Sequence, residues 1–406
     1  MISRSSIVPT SRTVCPFALA GKLIADPMTP EPITVIIAIK LSLQKLLKIS
    51  IIHRSKKAKE NILMHMADAL LSPAVGLTMS AVSVAAIGYA VAKVKKDEFS
   101  EKKVPIMGVA GAMVFAAQMI DFTIPATGSS GHIGGGILLA GLLGGIPAFL
   151  SIAAVIIIQC LFFADGGLLA LGSNIFNLGV IPCLVIYPLI FRPILTKGVS
   201  YKRITIASIL AVVIGLQLGA FGVVVMTTMS GITALPFATF TAVMQPIHLV
   251  IGILEGMITA AVLCFIYKMR PEIIETASTG ENLGDISTKK VIIILAAAAI
   301  LLGGGVALFA SENPDGLEWS IERTTEHTLG VETEIEAEGG IYDITANIQE
   351  TTAFLPDYEL ANDPENALGT SLSGIIGAAI TFGLAAITGL AISLIKKRNK
   401  KEVINA

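Results

Sequence analysis

Apolar runs of membrane-crossing length, separated by clusters of lysine and arginine, constrain this chain more than any other feature. A helix needs roughly 20 predominantly apolar residues to cross a bilayer. Runs of that kind lie near residues 70–92, 104–120, 133–148, 149–164, 175–195, 204–228, 246–268, 291–310 and 373–395. The third and fourth abut, with Gly144, Gly145 and Pro147 to turn on, which predicts short or partly re-entrant segments. Composition agrees: charged residues make up 15%, against about 25% in soluble domains, and mean hydropathy is +0.78. The expected fold class is an all-α polytopic membrane protein, with about seven transmembrane helices followed by a two-helix unit around an external loop.

Basic residues in short loops mark the cytoplasmic side. Lys93, Lys95, Lys96, Lys102 and Lys103 follow the first run, and Arg192, Lys197, Lys202 and Arg203 follow the fifth. Lys268, Arg270, Lys289 and Lys290 follow the seventh, and Lys396, Lys397, Arg398, Lys400 and Lys401 follow the last. All four clusters fall on one side when each run crosses once, which places the C-terminus in the cytoplasm. The opposite face holds His65, the loop 121–132, the segment 165–174 and the acidic stretch 311–372, where Glu312, Asp315, Glu318, Glu322, Glu326, Glu332, Glu334, Glu336 and Glu338 outnumber a single Arg323. That stretch reads either as a solvated face or as a field that concentrates cations.

Residues 1–63 break this pattern. Lys40, Lys45 and Lys48 interrupt the apolar run 33–52, and His53, Arg54, Lys56, Lys57 and Lys59 would stand on the outer face. A charge at mid-span costs roughly 2.5–3.5 kcal/mol. The expectation is a start at Met64, with a processed leader or a retained extension as alternatives.

Several function classes find no support. No basic stripe with interleaved aromatics suggests a nucleic-acid partner. Cys15, Cys160, Cys183 and Cys264 contain no CxxC spacing, and three sit in apolar runs where a thiol packs as a small hydrophobe. No GxxxxGK[ST] loop is present, so energy from ATP would have to come from other subunits.

The chain has five histidines, His53, His65, His132, His248 and His327. His65 in Met64-His65-Met66-Ala67-Asp68 and His132 in Gly131-His132-Ile133-Gly134-Gly135-Gly136 both fall at outer helix ends. A histidine in second position can chelate through the free α-amine, its own amide nitrogen and its imidazole, and a second imidazole would supply a fourth nitrogen. Planar nitrogen ligation suits Ni(II) or Cu(II), whereas zinc prefers a tetrahedron. The alternative is that each histidine only hydrogen-bonds at a helix end.

The segment Met64-His65-Met66-Ala67-Asp68-Ala69-Leu70-Leu71-Ser72-Pro73 resembles the start of the membrane substrate-binding subunits of nickel and cobalt energy-coupling factor transporters. Gly131–Gly136 resembles their second metal-binding loop. Leu161–Asn174, containing Ala164-Asp165-Gly166-Gly167, and His248–Gly256 resemble two further signatures, so the likeness runs along roughly 64–270. It implies a metal cage of the Met64 amine, the His65 amide and imidazole, and the His132 imidazole. Ala69 stands where the family has glycine, while Asp68 remains. An extension before Met64 would bury the amine in a peptide bond.

Asp165 and Asn174 read either as partners that orient the metal loop or as helix caps. His248 and Glu255 lie seven residues apart and share one helix face; they are candidates for metal passage or for polar contacts between helices. Pro314-Asp315-Gly316-Leu317-Glu318 resembles the small two-helix companion subunit of the same transporters. The expected organisation is therefore an extension over 1–63, a metal-binding subunit over 64–270, a cytoplasmic linker over 271–290 and a two-helix unit over 291–406. The resemblance implies Ni2+, or alternatively Co2+ for cobalamin synthesis, as cargo without a resident cofactor. It also implies a transmembrane coupling subunit and ATP-binding cassette ATPases as partners. Small residues of the first run, such as Ser80, Ala81, Ala85, Ala86 and Ala90, permit close helix contact, with the coupling subunit or within the chain. Two other classes remain: a metal-dependent membrane enzyme, for which Asp165 is the only obvious base and no HExxH occurs, and an ion-coupled carrier acting alone, which would place ionisable residues near the midplane in repeats.

Overall fold

Pro73 opens the first long helix at the position where its missing amide hydrogen costs nothing, and the apolar runs that follow fold as helices because in lipid the backbone must satisfy itself. The computed structural model describes residues 65–96, 103–280, 289–329, 337, 339–363 and 366–404. Residues 1–63, Met64, the centre of the expected linker, Glu332, Glu334, Glu336 and Glu338 lie outside the described residues, as do the side chains of His327 and of residues 388–404.

The helices are α1 (Pro73–Lys96), α2 (Lys103–Gln118), α3 (Gly136–Leu143), α4 (Gly145–Phe163), α5 (Leu171–Leu195), α6 (Tyr201–Ser230), α7 (Phe237–Met269), α8 (Pro271–Thr279), α9 (Lys289–Gly304), α10 (Gly316–Leu329), α11 (Ile341–Thr352) and α12 (Leu368–Ile404). Among the described residues, seven helical segments are long and apolar enough to cross a membrane: α1, α4, α5, α6, α7, Lys289–Phe309 and Leu368–Ile387. The shorter α2 is apolar between Lys103 and Gln118 at its ends. Between α2 and α3 the chain forms a small antiparallel hairpin, β1 (Phe122–Ile124) on β2 (Ser129–Gly131), with Thr123 opposite Ser130. The expectation of helix alone did not include it.

The third apolar run, 133–148, is short, as its abutting glycines predicted, and its bounds are narrower than the run. Only Gly136–Leu143 is helical, about 12 Å at 1.5 Å per residue, and α4 begins at Gly145. Gly144, at φ 83°, makes the break. Every residue of α3 is buried. Irregular backbone at membrane depth is tolerated where protein rather than lipid surrounds it. The α5 segment Phe176–Phe191 is a wide, π-type helix that accommodates Pro182 and Pro188, whose rings would clash with the carbonyls of a regular α-helix.

The core centres on α2, α3, α4 and α5, where Phe115, Phe149 and Phe163 are fully buried. The C-terminal spans pack on α2. Gly377 leaves room for the Phe115 ring, and the backbones of Gly303 and Gly374 touch directly, the close approach that small residues allow in lipid. The loop between these spans returns to the main bundle: Phe354 donates its amide to the Phe162 carbonyl, and Tyr358 stacks on Phe163 at 5.1 Å. The small residues of α1 lie on its sparsely buried surface, with Ala90 turned into the core.

Candidate metal site

The site begins in the short segment before α1. Residues 65–71 are mostly non-helical apart from a turn at Asp68–Leu70, so their backbone needs partners. The 164–174 loop supplies them. Asn174 accepts from the Met66 amide at 3.1 Å and donates to the Met66 carbonyl at 3.2 Å, while Gly167 donates to the same carbonyl. Asp68 accepts from the Ala170 amide and from Thr345 on α11. Tyr342 on α11 donates to the Leu71 carbonyl, and Gln349 donates to the Cys160 and Gly166 carbonyls. Asn174 thus grips main chain, and the N-cap position of the helix that holds it is Ala170, which leaves the capping alternative without support for Asn174.

Asp165 faces His65. His65 Nδ1 stands 2.8 Å from Asp165 Oδ2, which also accepts from the Tyr358 hydroxyl at 2.6 Å. Burial alone disfavours the charged imidazole, yet the Asp165 charge and hydrogen bond prevail and raise the pKa of His65. Burial pushes the Asp165 carboxyl up, and His65 with Tyr358 returns it below the usual carboxylate range. His65 is 3% exposed, and its Nε2 is buried without a hydrogen-bond partner among the described residues.

His132 comes from the hairpin. Its ring centroid lies 5.8 Å from that of His65. The glycines behind it fix the chain. Gly135 has φ 76°, and any side chain there would overlap Val114. Glu255 Oε1 accepts from the Gly135 amide at 2.9 Å, and Gln118, braced by Gln159, donates to the Gly134 carbonyl. Glu255 therefore holds the loop that carries His132. His248 Nδ1 donates to the Met244 carbonyl at 2.8 Å, and its Nε2 edge lies beside Gly316.

His65, His132, Asn174, His248 and Glu255 line one cavity of about 110 Å³ with Asn177, Gly219 and Leu317. Asp165 touches it through His65, and Asp68 stands behind the 65–71 segment. Among the described residues, no three side chains of ligating type converge closely enough to hold a metal ion by themselves. A fused-ring chelate closes through Nδ1 of His65, the ring nitrogen nearest the backbone; here Nδ1 meets Asp165, and Nε2 is the nitrogen left for the cavity.

Asp315 was missed as a site residue. Pro314-Asp315-Gly316-Leu317-Glu318 is a helix start, in which Asp315 Oδ1 accepts from the Glu318 amide at 2.8 Å in the manner of a capping box. The Asn313 and Pro314 carbonyls accept from Ser130, and the Trp319 indole donates to the Thr127 carbonyl. These bonds set the start of α10 over the cavity, with Asp315 5% exposed and its Oδ2 4.0 Å from His132 Nε2. Burial raises the Asp315 carboxyl, against the pull of His132 and the Glu318 amide. The Asp-x-x-Glu spacing carried the capping signal, but nothing in the sequence pointed the carboxylate at His132.

The CbiM model, a cobalt uptake substrate-specific transmembrane region, matches residues 65–273, and the PDGLE domain model matches residues 289–394. A putative metal transport protein of Haloquadratum walsbyi is 36% identical over 222 residues, covering 54% of this chain and 97% of its own length. A putative fused nickel transport protein of Archaeoglobus fulgidus is 34% identical over 212 residues, covering 52% of this chain and 68% of its own. A probable fused nickel transport protein of Lactiplantibacillus plantarum is 30% identical over 230 residues, covering 54% and 69%. A crystal structure of a truncated transition metal transporter is 31% identical, covering 50% of this chain and 99% of that one, with a TM-score of 0.45. With its family match spread over α1 to α7 and a second domain behind it, this chain belongs to the CbiM family, as a multi-pass membrane component of metal transport that carries a PDGLE domain.

Proposed function

We propose that this chain is the substrate-specificity component of an ATP-driven energy-coupling factor importer and captures Ni2+ at the outer membrane face. The observation that carries the reading is the pair of imidazoles, His65 and His132, 5.8 Å apart at a buried cavity. Nitrogen ligation favours late divalent ions such as nickel, and two similar proteins are named as fused nickel transport proteins. In this reading the amine of Met64 and the amide of His65 complete the cage when the His65 ring turns Nδ1 from Asp165 to the metal. Asp165 orients His65, Asn174 and Asp68 hold the segment, Glu255 holds the His132 loop, and His248 lies along the path inward.

A transmembrane coupling subunit and ATPases supply the energy, since the sequence has no phosphate loop of its own. Met64 and residues 311–372 face outward, and the C-terminus is cytoplasmic, following the lysine clusters. Residues 64–270 bind metal, 271–290 link, and 291–406 form the unit above the site. A Co2+ reading has its own support: with Nδ1 of His65 engaged by Asp165, the cavity offers Nε2, which does not enforce the planar chelate that singles out nickel.

Calorimetry with NiCl2 and CoCl2 tests the site. His65→Ala and His132→Ala are each expected to abolish high-affinity binding. Wild-type affinity in both variants would overturn the assignment.

A further inference from the structure

Asp315 belongs to the PDGLE unit and His132 to the CbiM unit, yet the two side chains face each other inside one protein surface. Their separation of 4.0 Å is too wide for a hydrogen bond. It is no wider than one ion spans between two donors, at about 2.0–2.1 Å from nitrogen and about 2.0–2.2 Å from oxygen, the distances typical of zinc sites. Both groups line the same cavity as His65, whose buried Nε2 lacks a hydrogen-bond partner among the described residues. The carboxylate is also fixed in place. Oδ1 is committed to the Glu318 amide, which leaves Oδ2 for the cavity. The backbone at Gly316 packs closely on α7, where a Cβ would lie 2.6 Å from Ile251 Cδ1 and 3.1 Å from His248 Cε1.

We infer that Asp315 is an oxygen donor to the metal ion held at His132, so that the PDGLE unit completes the metal site of the unit to which it is fused. The inference rests on the capture reading of His65 and His132. Capping and ligation use different oxygens of one carboxylate, and this gives the Pro-Asp-Gly-Leu-Glu sequence two jobs: it starts α10 and delivers a negative charge to a divalent cation. A mixed nitrogen and oxygen donor set also accommodates Co2+ and Ni2+ alike, so removing the carboxylate alters selectivity as well as affinity.

The test uses the full chain purified in detergent, titrated with NiCl2 and with CoCl2. Asparagine and serine are N-caps comparable to aspartate, so Asp315→Asn and Asp315→Ser keep the Glu318 contact and remove the charge. Each is expected to bind Ni2+ and Co2+ at least tenfold more weakly, to keep the metal-free thermal midpoint, and to shift the visible absorption bands of bound Co2+. Wild-type affinity and an unchanged Co2+ spectrum in both variants would overturn the inference. If one variant unfolds early without metal, the other is decisive. The two readings fail separately: unchanged binding in His65→Ala and His132→Ala removes the capture site itself, whereas loss in those variants beside wild-type binding in Asp315→Asn removes only the donor role.

Discussion

Asp357 sits in the left-handed region, at φ 53° and ψ 23°, one residue before the tyrosine that bonds Asp165. Burial, with Asp165 and Glu359 adding like charge, pushes its carboxyl up to about 7. The folded protein therefore holds a proton there that the unfolded chain releases in the ordinary carboxylate range, near pH 4. Linkage fixes the sign: the contribution to stability is complete below that range and is lost as pH rises through about 7. Asn tolerates the left-handed conformation and carries no charge. Thermal unfolding should show Asp357→Asn gaining on the wild type between pH 5 and pH 8, by on the order of 1 kcal/mol, since a tenfold change in proton affinity is worth roughly 1.4 kcal/mol and partial exposure screens it. A wild type that holds its midpoint relative to the variant over that range would contradict the burial argument. At this scale His65 and His132 were legible because histidine is rare and theirs fell at helix ends among glycines. Asp315 was not, because the carboxylates of one acidic stretch look alike until the capping bond aims one of them.

The loop between β2 and α3 shows how an element is built around a position. Gly134, Gly135 and Gly136 let the backbone enter between Val114, Leu178 and Pro182, and the Gly135 amide finds Glu255. Gly135→Ala meets two costs, a positive φ and overlap with Val114. Strain in such positions is of order 1–3 kcal/mol. The expected result is a lower thermal midpoint and at least tenfold weaker Ni2+ binding, read by unfolding scans and calorimetry on the same preparation. Undisturbed affinity would mean that the loop does not set the His132 position. The apolar run around α3 and its break at Gly144, Gly145 and Pro147 were visible in the sequence, but its complete burial was not, because hydropathy does not distinguish burial in lipid from burial in protein. The π-type winding of α5 was likewise hidden, although Pro182 and Pro188 marked where a regular helix was excluded.

The whole chain raises the question of its N-terminus, since the proposed cage uses the free amine of Met64. Protein begun at Met64 should bind Ni2+ tightly, and protein that retains residues 1–63 should bind it at least tenfold more weakly. Equal affinities would exclude the amine from the cage. Mass spectrometry of the native N-terminus, beside the titration, decides which form operates in the membrane.

The sequence by itself determined the membrane class and where most of the long apolar helices lie, and it carries the expectation of the side that the histidines face. These follow from local quantities: the hydropathy of about 20 consecutive residues and the charge of short loops. The tertiary structure decided which residues meet. Asp165 reaches His65 across 100 positions, Glu255 reaches Gly135 across 120, and Ser130 reaches Asn313 across 183. Such contacts depend on how helices pack against one another, and no window of local composition contains that information. The PDGLE unit was thus readable as a neighbour of the metal-binding unit, and only the fold set its aspartate against His132.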